Sequence, residues 1–331
     1  TVKLALSTKL CMAVCLWLCL SISAYAAKEV SLVFAGDTVL DDTAGKIIEL
    51  GGDPFSDFSD YFAGADIRIT NLECVVSTRG QANDKMYTFQ AHPRVIPVLQ
   101  KHFDAVTLAN NHSGDFGPDA FAQMLSLLKE AGLAQVGGGM NLKQAHTPLV
   151  FTRNGWRIAV LSYNEFHPRS FEAGFDIPGV AWSEDQQVME DIQTARRIHR
   201  ADLVIPIMHW GWENERTANP RQRQLAKLMI DAGADAVIGG HPHVTQDVSV
   251  YKGKPIVYIV GNFVMKETDN AFQRKGWVLK MYFDKRGVTR FETLPVKIDM
   301  EGIPSIDRAA SSPCWQRGDN IAGECQTAPA E

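Results

Sequence analysis

The sequence predicts an α/β layered fold with mostly parallel strand pairing. Two observations carry that expectation. Short β-rich runs alternate with helical patterns along most of the 331-residue chain. Successive runs also stop at residues that can do chemistry, namely Asp37, Glu73, Asn111-His112, His209 and His241 with His243. In open α/β sheets, ligands gather at the carboxyl ends of the strands.

Each element follows from its own signal. Residues 30–34 form a β-rich run that ends at Ala35-Gly36-Asp37. Residues 54–63 read as a helix with its aromatic side chains inward. Residues 66–71 alternate as a strand does and run on into Leu72-Glu73. Residues 93–102 look helical. Residues 105–109 form a strand ending in Asn110-Asn111-His112, with Asp115 and Gly117 close behind. Pro118 then opens a periodic helix over 119–131, and Gly132 stops it. Gly137-Gly138-Gly139 reads as a flexible turn, not a phosphate loop, because no helix opening on Lys-Ser/Thr follows. Residues 149–152 and 157–161 make a hairpin across Asn154-Gly155. The stretch 163–180, rich in Phe, Pro and Gly, is a long loop suited to wall a cleft.

In the second half, 184–200 is an amphipathic helix and 203–208 a buried strand ending in His209-Trp210-Gly211, with Glu213 just beyond. Residues 220–233 form a helix with a glycine stop. Residues 236–238 form a short strand that runs into paired glycines and then His241-Pro242-His243. Two imidazoles at i, i+2 on an extended segment face opposite ways. Beyond a strand end, with Pro242 stiffening the link, both can curve toward one centre. Residues 255–260 form a strand ending in Gly261-Asn262-Phe263, and 276–283 pairs with 288–297 around Lys285-Arg286-Gly287. From about Glu301 the pattern fades, so 28–300 reads as one domain and 301–331 as a poorly packed extension.

Composition bounds the function. With 45% hydrophobic and 21% charged residues the chain can bury a real core, and a net charge of -5 gives no electrostatic footprint for nucleic acid. Residues 1–26 read as a secretory signal peptide: Lys3 and Lys9 precede the apolar run 10–20, and Ala24-Tyr25-Ala26 closes it. Cleavage there removes two lysines and no acids, giving -5 - 2 = -7. It also leaves no membrane span, although the same run uncleaved would serve as an anchor. The expected location is therefore exported: periplasmic, extracellular or at the cell surface. Cys11, Cys15 and Cys19 leave with the signal. Cys314 and Cys325 could close a small loop in the tail, and Cys74 is the odd thiol.

Asp37, Glu73, Asn111, His209, His241 and His243 form a candidate metal set. Hard oxygen donors mixed with imidazoles suit Mn, Fe, Zn or Mg. Six such groups can hold one or two divalent ions with a carboxylate bridging, an arrangement that activates water for phosphoester hydrolysis. His112 is placed to act as general acid, with Asp115 accepting its other N–H. Asn71, Glu213 and Asn262 are candidates for the substrate cleft. Taken singly, each residue has a plainer role as a turn, cap or buried polar group. Trp182, Trp210 and Trp212 could stack sugars, though core packing explains them equally well.

In their order, Ala35-Gly36-Asp37, Asn71-Leu72-Glu73, Ala109-Asn110-Asn111-His112 with Asp115 and Gly117, His209-Trp210-Gly211 with Glu213, Gly240-His241-Pro242-His243-Val244 with Gln246, and Gly261-Asn262-Phe263 resemble the CapA family of poly-γ-glutamate (capsule) synthesis proteins. The match runs from about residue 30 to about residue 298. That family is similar to the calcineurin-like metallophosphoesterases. The resemblance implies a four-layer α/β/β/α sandwich, with Asp37 on one ion, Glu73 bridging, Asn111 and His209 on the other, and His241 and His243 completing the two spheres. It also implies either a metal-dependent hydrolase of a phosphoester or a γ-glutamyl or cell-wall amide, or a non-catalytic factor in a capsule synthesis or export complex. Two departures stand out. The phosphoesterase pattern has a histidine ligand where this chain has Val39, and an aspartate where it has Glu73. Cys74 stands where a small residue, commonly glycine, is expected.

Overall fold

Strand Val30–Thr38, buried along its whole length, is the member around which the two halves of the molecule assemble. The structure is a computed structural model that describes residues 29–326; the signal-peptide reading and its three cysteines lie outside the described residues. Val30–Thr38 pairs in parallel with Ile67–Leu72, which continues in parallel to Ala105–Thr107 and Ala134–Val136. On its other side it runs antiparallel to Lys275–Asp284, and Gly287–Ile298 and the three tail strands extend that edge; Asn262–Val264, parallel to the end of Val30–Thr38, completes ten strands. A second, six-stranded sheet has Trp156–Asn164, Leu203–His209, Val237–Gly240 and Lys254–Val257 in parallel at its centre, with one antiparallel strand at each edge.

Parallel pairing runs from Val30–Thr38 out to the Ala134–Val136 edge of the large sheet and through the centre of the small one, and most of the rest is antiparallel, a correction to the mostly parallel expectation. Hairpins account for much of the antiparallel pairing, because tight turns join their strands. Asn154 and Gly155, with φ of 51° and 83°, close one hairpin, and Gly287 at φ 107° helps to close another.

Three apolar layers show how the sheets stack. Leu32, Phe34, Ile67 and Ile69 of the large sheet pack against Ile158, Val160, Ile205, Ile207 and Ile238 of the small one. The outer face of the large sheet is covered by Phe58, Phe62, Phe121, Met124 and Leu128 from its helices. Val188, Ile192, Leu225 and Met229 cover the outer face of the small sheet. Helix, sheet, sheet and helix make the four-layer α/β/β/α sandwich. Burying each such side chain contributes roughly 1.5–3 kcal/mol, so the layering follows from where the apolar residues fall.

Local signals set the helix ends. Pro118 sits in the first turn of Gly117–Ala131, and Gly132 ends it at φ 76°. Asn219 and Gln222 form a reciprocal capping box at the start of Pro220–Ala232. The helix expected over 54–63 is instead a 3-10 turn, Ser56–Phe58, followed by the short helix Ser59–Ala63. The glycine triplet is not a flexible turn. Gly138–Gly139 pairs with Gly179–Val180, and a Cβ on Gly139 would lie 2.5 Å from the Ala145 nitrogen. The long loop is correspondingly shorter than 163–180, because strand Trp156–Asn164 runs into it.

The tail is also corrected. Pro304–Ile306 and Ser311–Gln316 pair with Gly287–Ile298, and Gly323–Gln326 pairs with Ser311–Gln316. Trp315 is buried against Phe291, and Cys314 is bonded to Cys325 with Cα atoms 5.8 Å apart. An edge hairpin needs few apolar residues to dock, so its polar, glycine-containing sequence hides it.

Arg317 secures this hairpin to the sheet through Asp284 at 2.7 and 2.8 Å. That contact holds the Asp284 carboxyl down at about 2. A depressed carboxylate stabilises the fold above its ordinary range, and the contribution disappears as pH falls through the folded value. Asp284→Asn is therefore expected to lower the thermal midpoint at pH 7, with the gap to wild type closing between about pH 4 and pH 2. Thermal melts across pH check this; a gap independent of pH would assign the effect to packing.

Candidate metal centre

The centre lies where strand ends from both sheets meet. A bulge between Phe34 and Asp37 shifts the register of the central strand, and Gly36 takes φ +99° with no room for a Cβ, which would lie 2.6 Å from the Gly261 carbonyl oxygen. This places Asp37 inside the strand rather than beyond its end. One Asp37 oxygen accepts from Asn71 Nδ2 at 2.8 Å and the other from the His241 backbone N–H at 2.9 Å. Gly240 is required beside it, since a Cβ there would sit 2.5 Å from Asp37 Oδ1.

His241 and His243 reach one centre by a route the sequence did not display. Both backbones are left-handed, at φ +103° and +59°. Such conformations are costly for residues with a Cβ and persist only when their surroundings enforce them. His241 Nδ1 lies 3.1 Å from His209 Nε2, which in turn lies 2.7 Å from Asn111 Oδ1 and 3.4 Å from Glu73 Oε1. His243 Nε2 is 3.8 Å from the same Glu73 oxygen, and its Nδ1 is 2.9 Å from Asn262 Oδ1.

Two groups of side chains thus offer one ligand atom each within 4.8 Å of one another: Glu73, His209 and His241, and Asp37, Glu73 and His243. Glu73 belongs to both. Its two carboxylate oxygens and His241 Nε2 are buried without a hydrogen-bond partner. Orphaned buried polar atoms are costly and rare, so three together in one cluster fit a cation. The electrostatics agree. Burial, and then Asp37, push the Glu73 carboxyl well above its ordinary range. Burial holds His209 down at about 4 and takes His241 well below its ordinary value, so both imidazoles are neutral, the form that ligates metal. Burial opposes protonation of His243 too, but Glu73 and Asp37 beside it raise it overall.

Beside the centre, His112 Nδ1 is 2.6 Å from Asp115 Oδ2, and the ring stacks on Phe89 with centroids 4.2 Å apart. Burial lowers the His112 imidazole to about 4. The neutral ring then donates its Nδ1–H to Asp115 in a hydrogen bond, leaving the Nε2 lone pair free to accept a proton. The sequence offered no signal for three further participants. Lys85, on an irregular stretch, donates to the Asn111 carbonyl oxygen at 2.8 Å and to Asp115 Oδ1. Phe89 donates its backbone N–H to Asp115 Oδ2, and Phe166 lies against His241. The side-chain oxygen of Asn110 accepts from the His112 and Ser113 backbone N–H groups.

The cleft candidates divide. Asn71 is buried beneath the centre, its oxygen accepting from Thr107 and Asn110 and its nitrogen donating to Asp37. Asn262 is buried behind His243. Both position ligand candidates and neither faces a cleft, because their polar atoms are already spent. Glu213 alone is exposed at the rim. Val39 packs in the outer core, so the sphere it would have completed has Asp37, Glu73 and His243. Cys74 is buried in the same core with its thiol pushed up to about 12 by desolvation, so it is an apolar packing residue rather than a thiolate.

Sandwich and site together define a four-layer α/β/β/α protein with a buried carboxylate and imidazole cluster suited to a divalent cation. The chain belongs to the family of bacterial capsule synthesis proteins PGA_cap, whose model matches residues 31–267. It is 31% identical over 289 residues to the PGA biosynthesis protein CapA of Bacillus subtilis (strain 168), covering 84% of this chain and 74% of that one. It is 29% identical over 293 residues to the capsule biosynthesis protein CapA of Bacillus anthracis, covering 84% and 69%. A hypothetical protein from Thermus thermophilus superposes with a TM-score of 0.53 at 14% identity, over 81% of this chain and 99% of that one, a likeness of fold. Among the described residues no helix is long and apolar enough to cross a membrane.

Proposed function

We propose that this chain is an exported, metal-dependent hydrolase of capsule or polyglutamate synthesis, acting on a phosphoester or on a γ-glutamyl or cell-wall amide. The observation that carries the reading is the trio of orphaned atoms, two on Glu73 and one on His241, among Asp37, His209 and His243. Asp37, Glu73 and His243 would hold one ion, and Glu73, Asn111, His209 and His241 a second. A divalent ion there, Mn, Fe, Zn or Mg, supplies a Lewis acid and lowers the pKa of bound water. Asn71 fixes Asp37, and Asn262 fixes His243. Asp115 accepts the His112 Nδ1–H, so that Nε2 can take the proton released by the attacking water and pass it to the leaving atom. Glu213 stands toward the substrate at the rim. The expected partners are the substrate polymer or small phosphoester and the other members of a capsule or polyglutamate synthesis and export complex.

One observation favours a second reading, a non-catalytic assembly factor. With Val39 in the core, the first sphere has three protein side chains where the phosphoesterase pattern has a further histidine. Metal analysis of the purified domain, followed by a metal-supplemented screen of phosphoesters and γ-glutamyl peptides, separates the two. Bound metal with turnover supports the hydrolase, and bound metal without turnover supports the assembly factor. Equal metal content in His241→Ala, His243→Ala and wild type would refute the centre itself.

A further inference from the structure

Three tryptophans invite a stacking role, and the structure separates them. Trp210 is buried, with its Nε1–H donated to the Tyr258 carbonyl oxygen at 3.0 Å. Trp182 is buried beneath the Arg169 guanidinium. Trp212 is 57% exposed. It meets the edge of Phe166 at 6.2 Å between centroids and 74° between planes, and Phe166 in turn lies 4.1 Å from the ring of His241. The backbone of Asn214 donates to the Pro242 carbonyl oxygen at 2.9 Å, tying the Trp212 loop to the turn that carries His241 and His243. An unbroken run of rings therefore leads from the surface to a candidate ligand. Leaving a large indole in water forgoes the burial that stabilises the other two tryptophans, and this one stands beside the candidate centre.

We propose that Trp212 and Phe166 form a stacking step that binds a planar, π-bearing group of the substrate beside the bond hydrolysed at the metal centre. This rests on the metal-centre reading above and adds a substrate class to it: esters or amides whose scissile bond adjoins an aromatic or heteroaromatic ring. A planar ring lying on the indole face, with its edge toward Phe166, gains the offset and edge-to-face contacts that aromatic pairs favour. A short aliphatic chain gains neither.

Calorimetric titration of the manganese-loaded protein with phenylphosphonate, cyclohexylphosphonate and methylphosphonate tests the step without turnover. Phenylphosphonate is expected to bind about tenfold tighter than methylphosphonate, with Trp212→Ala and Phe166→Ala each removing most of that preference and Trp212→Phe restoring it. Thermal midpoints and metal content of the two Trp212 variants, expected to match wild type, show that the fold is intact, and Phe166→Ala is compared at equal metal loading because Phe166 lies against His241. Equal affinity for phenyl- and methylphosphonate, or cyclohexylphosphonate binding as tightly as phenylphosphonate, would overturn the step and leave the metal centre standing. Metal-loaded wild type that binds none of the three would overturn the phosphoester reading of the centre and the step with it.

Discussion

His112→Ala is expected to retain its metal and lose turnover by about 10²–10⁴-fold, the range that a positioned proton-transfer group supplies. The ring is not in either ligand group, so removing it leaves Asp37, Glu73, His209, His241 and His243 in place. The variant does remove the contact to Asp115 and the stack on Phe89, so some stability is lost with the chemistry. Asp115 keeps Lys85 and the Phe89 N–H as partners, which limits the damage to the surrounding loop. Metal content, thermal midpoint and turnover measured on one preparation separate these effects. Turnover equal to wild type would remove His112 from the reaction.

Glu73→Gln is expected to have the larger effect on metal binding, because Glu73 is the member shared by both ligand groups. An amide of the same shape brings no negative charge to bridge two cations. The expected result is loss of metal from both positions, measured by elemental analysis. The same substitution should have the opposite effect on the metal-free protein. There Glu73 is a buried carboxylate with neither oxygen paired, beside the buried Asp37. Burial and Asp37 hold that carboxyl back from ionising at a cost that the amide does not bear, so metal-free Glu73→Gln should be at least as stable as metal-free wild type. Added metal should then raise the wild-type melting point, by about 2.7 kcal/mol of stability at a hundredfold excess over Kd, and leave the variant unmoved. A variant that melts well below chelated wild type, and gains as much from metal, would show that Glu73 is a packing residue.

Much of this was legible because strand ends and chemistry-bearing residues coincide in the chain. The runs ending at Asp37, Glu73, Asn111, His209 and His243 could be found by alternation and turn residues alone, and their convergence follows once they lie in two facing sheets. Asn71 and Asn262 misled for a physical reason. A polar residue at a strand end reads the same whether it points at a ligand or braces the group that does, and only the hydrogen-bond partners distinguish the cases. The tail misled because pairing to an existing edge supplies the stability that its composition lacks.

The order of elements and the donor set for a hard cation were fixed by periodicity, by glycine and proline placement, and by residue chemistry, all of which act over a few neighbours. The left-handed backbones of His241 and His243, the bulge that turns Asp37 inward, the sharing of Glu73, the Lys85 contact to Asp115 and the exposure of Trp212 were decided only in three dimensions. Each depends on segments tens to hundreds of residues apart being held together by the packed sheets, and no local pattern carries that information.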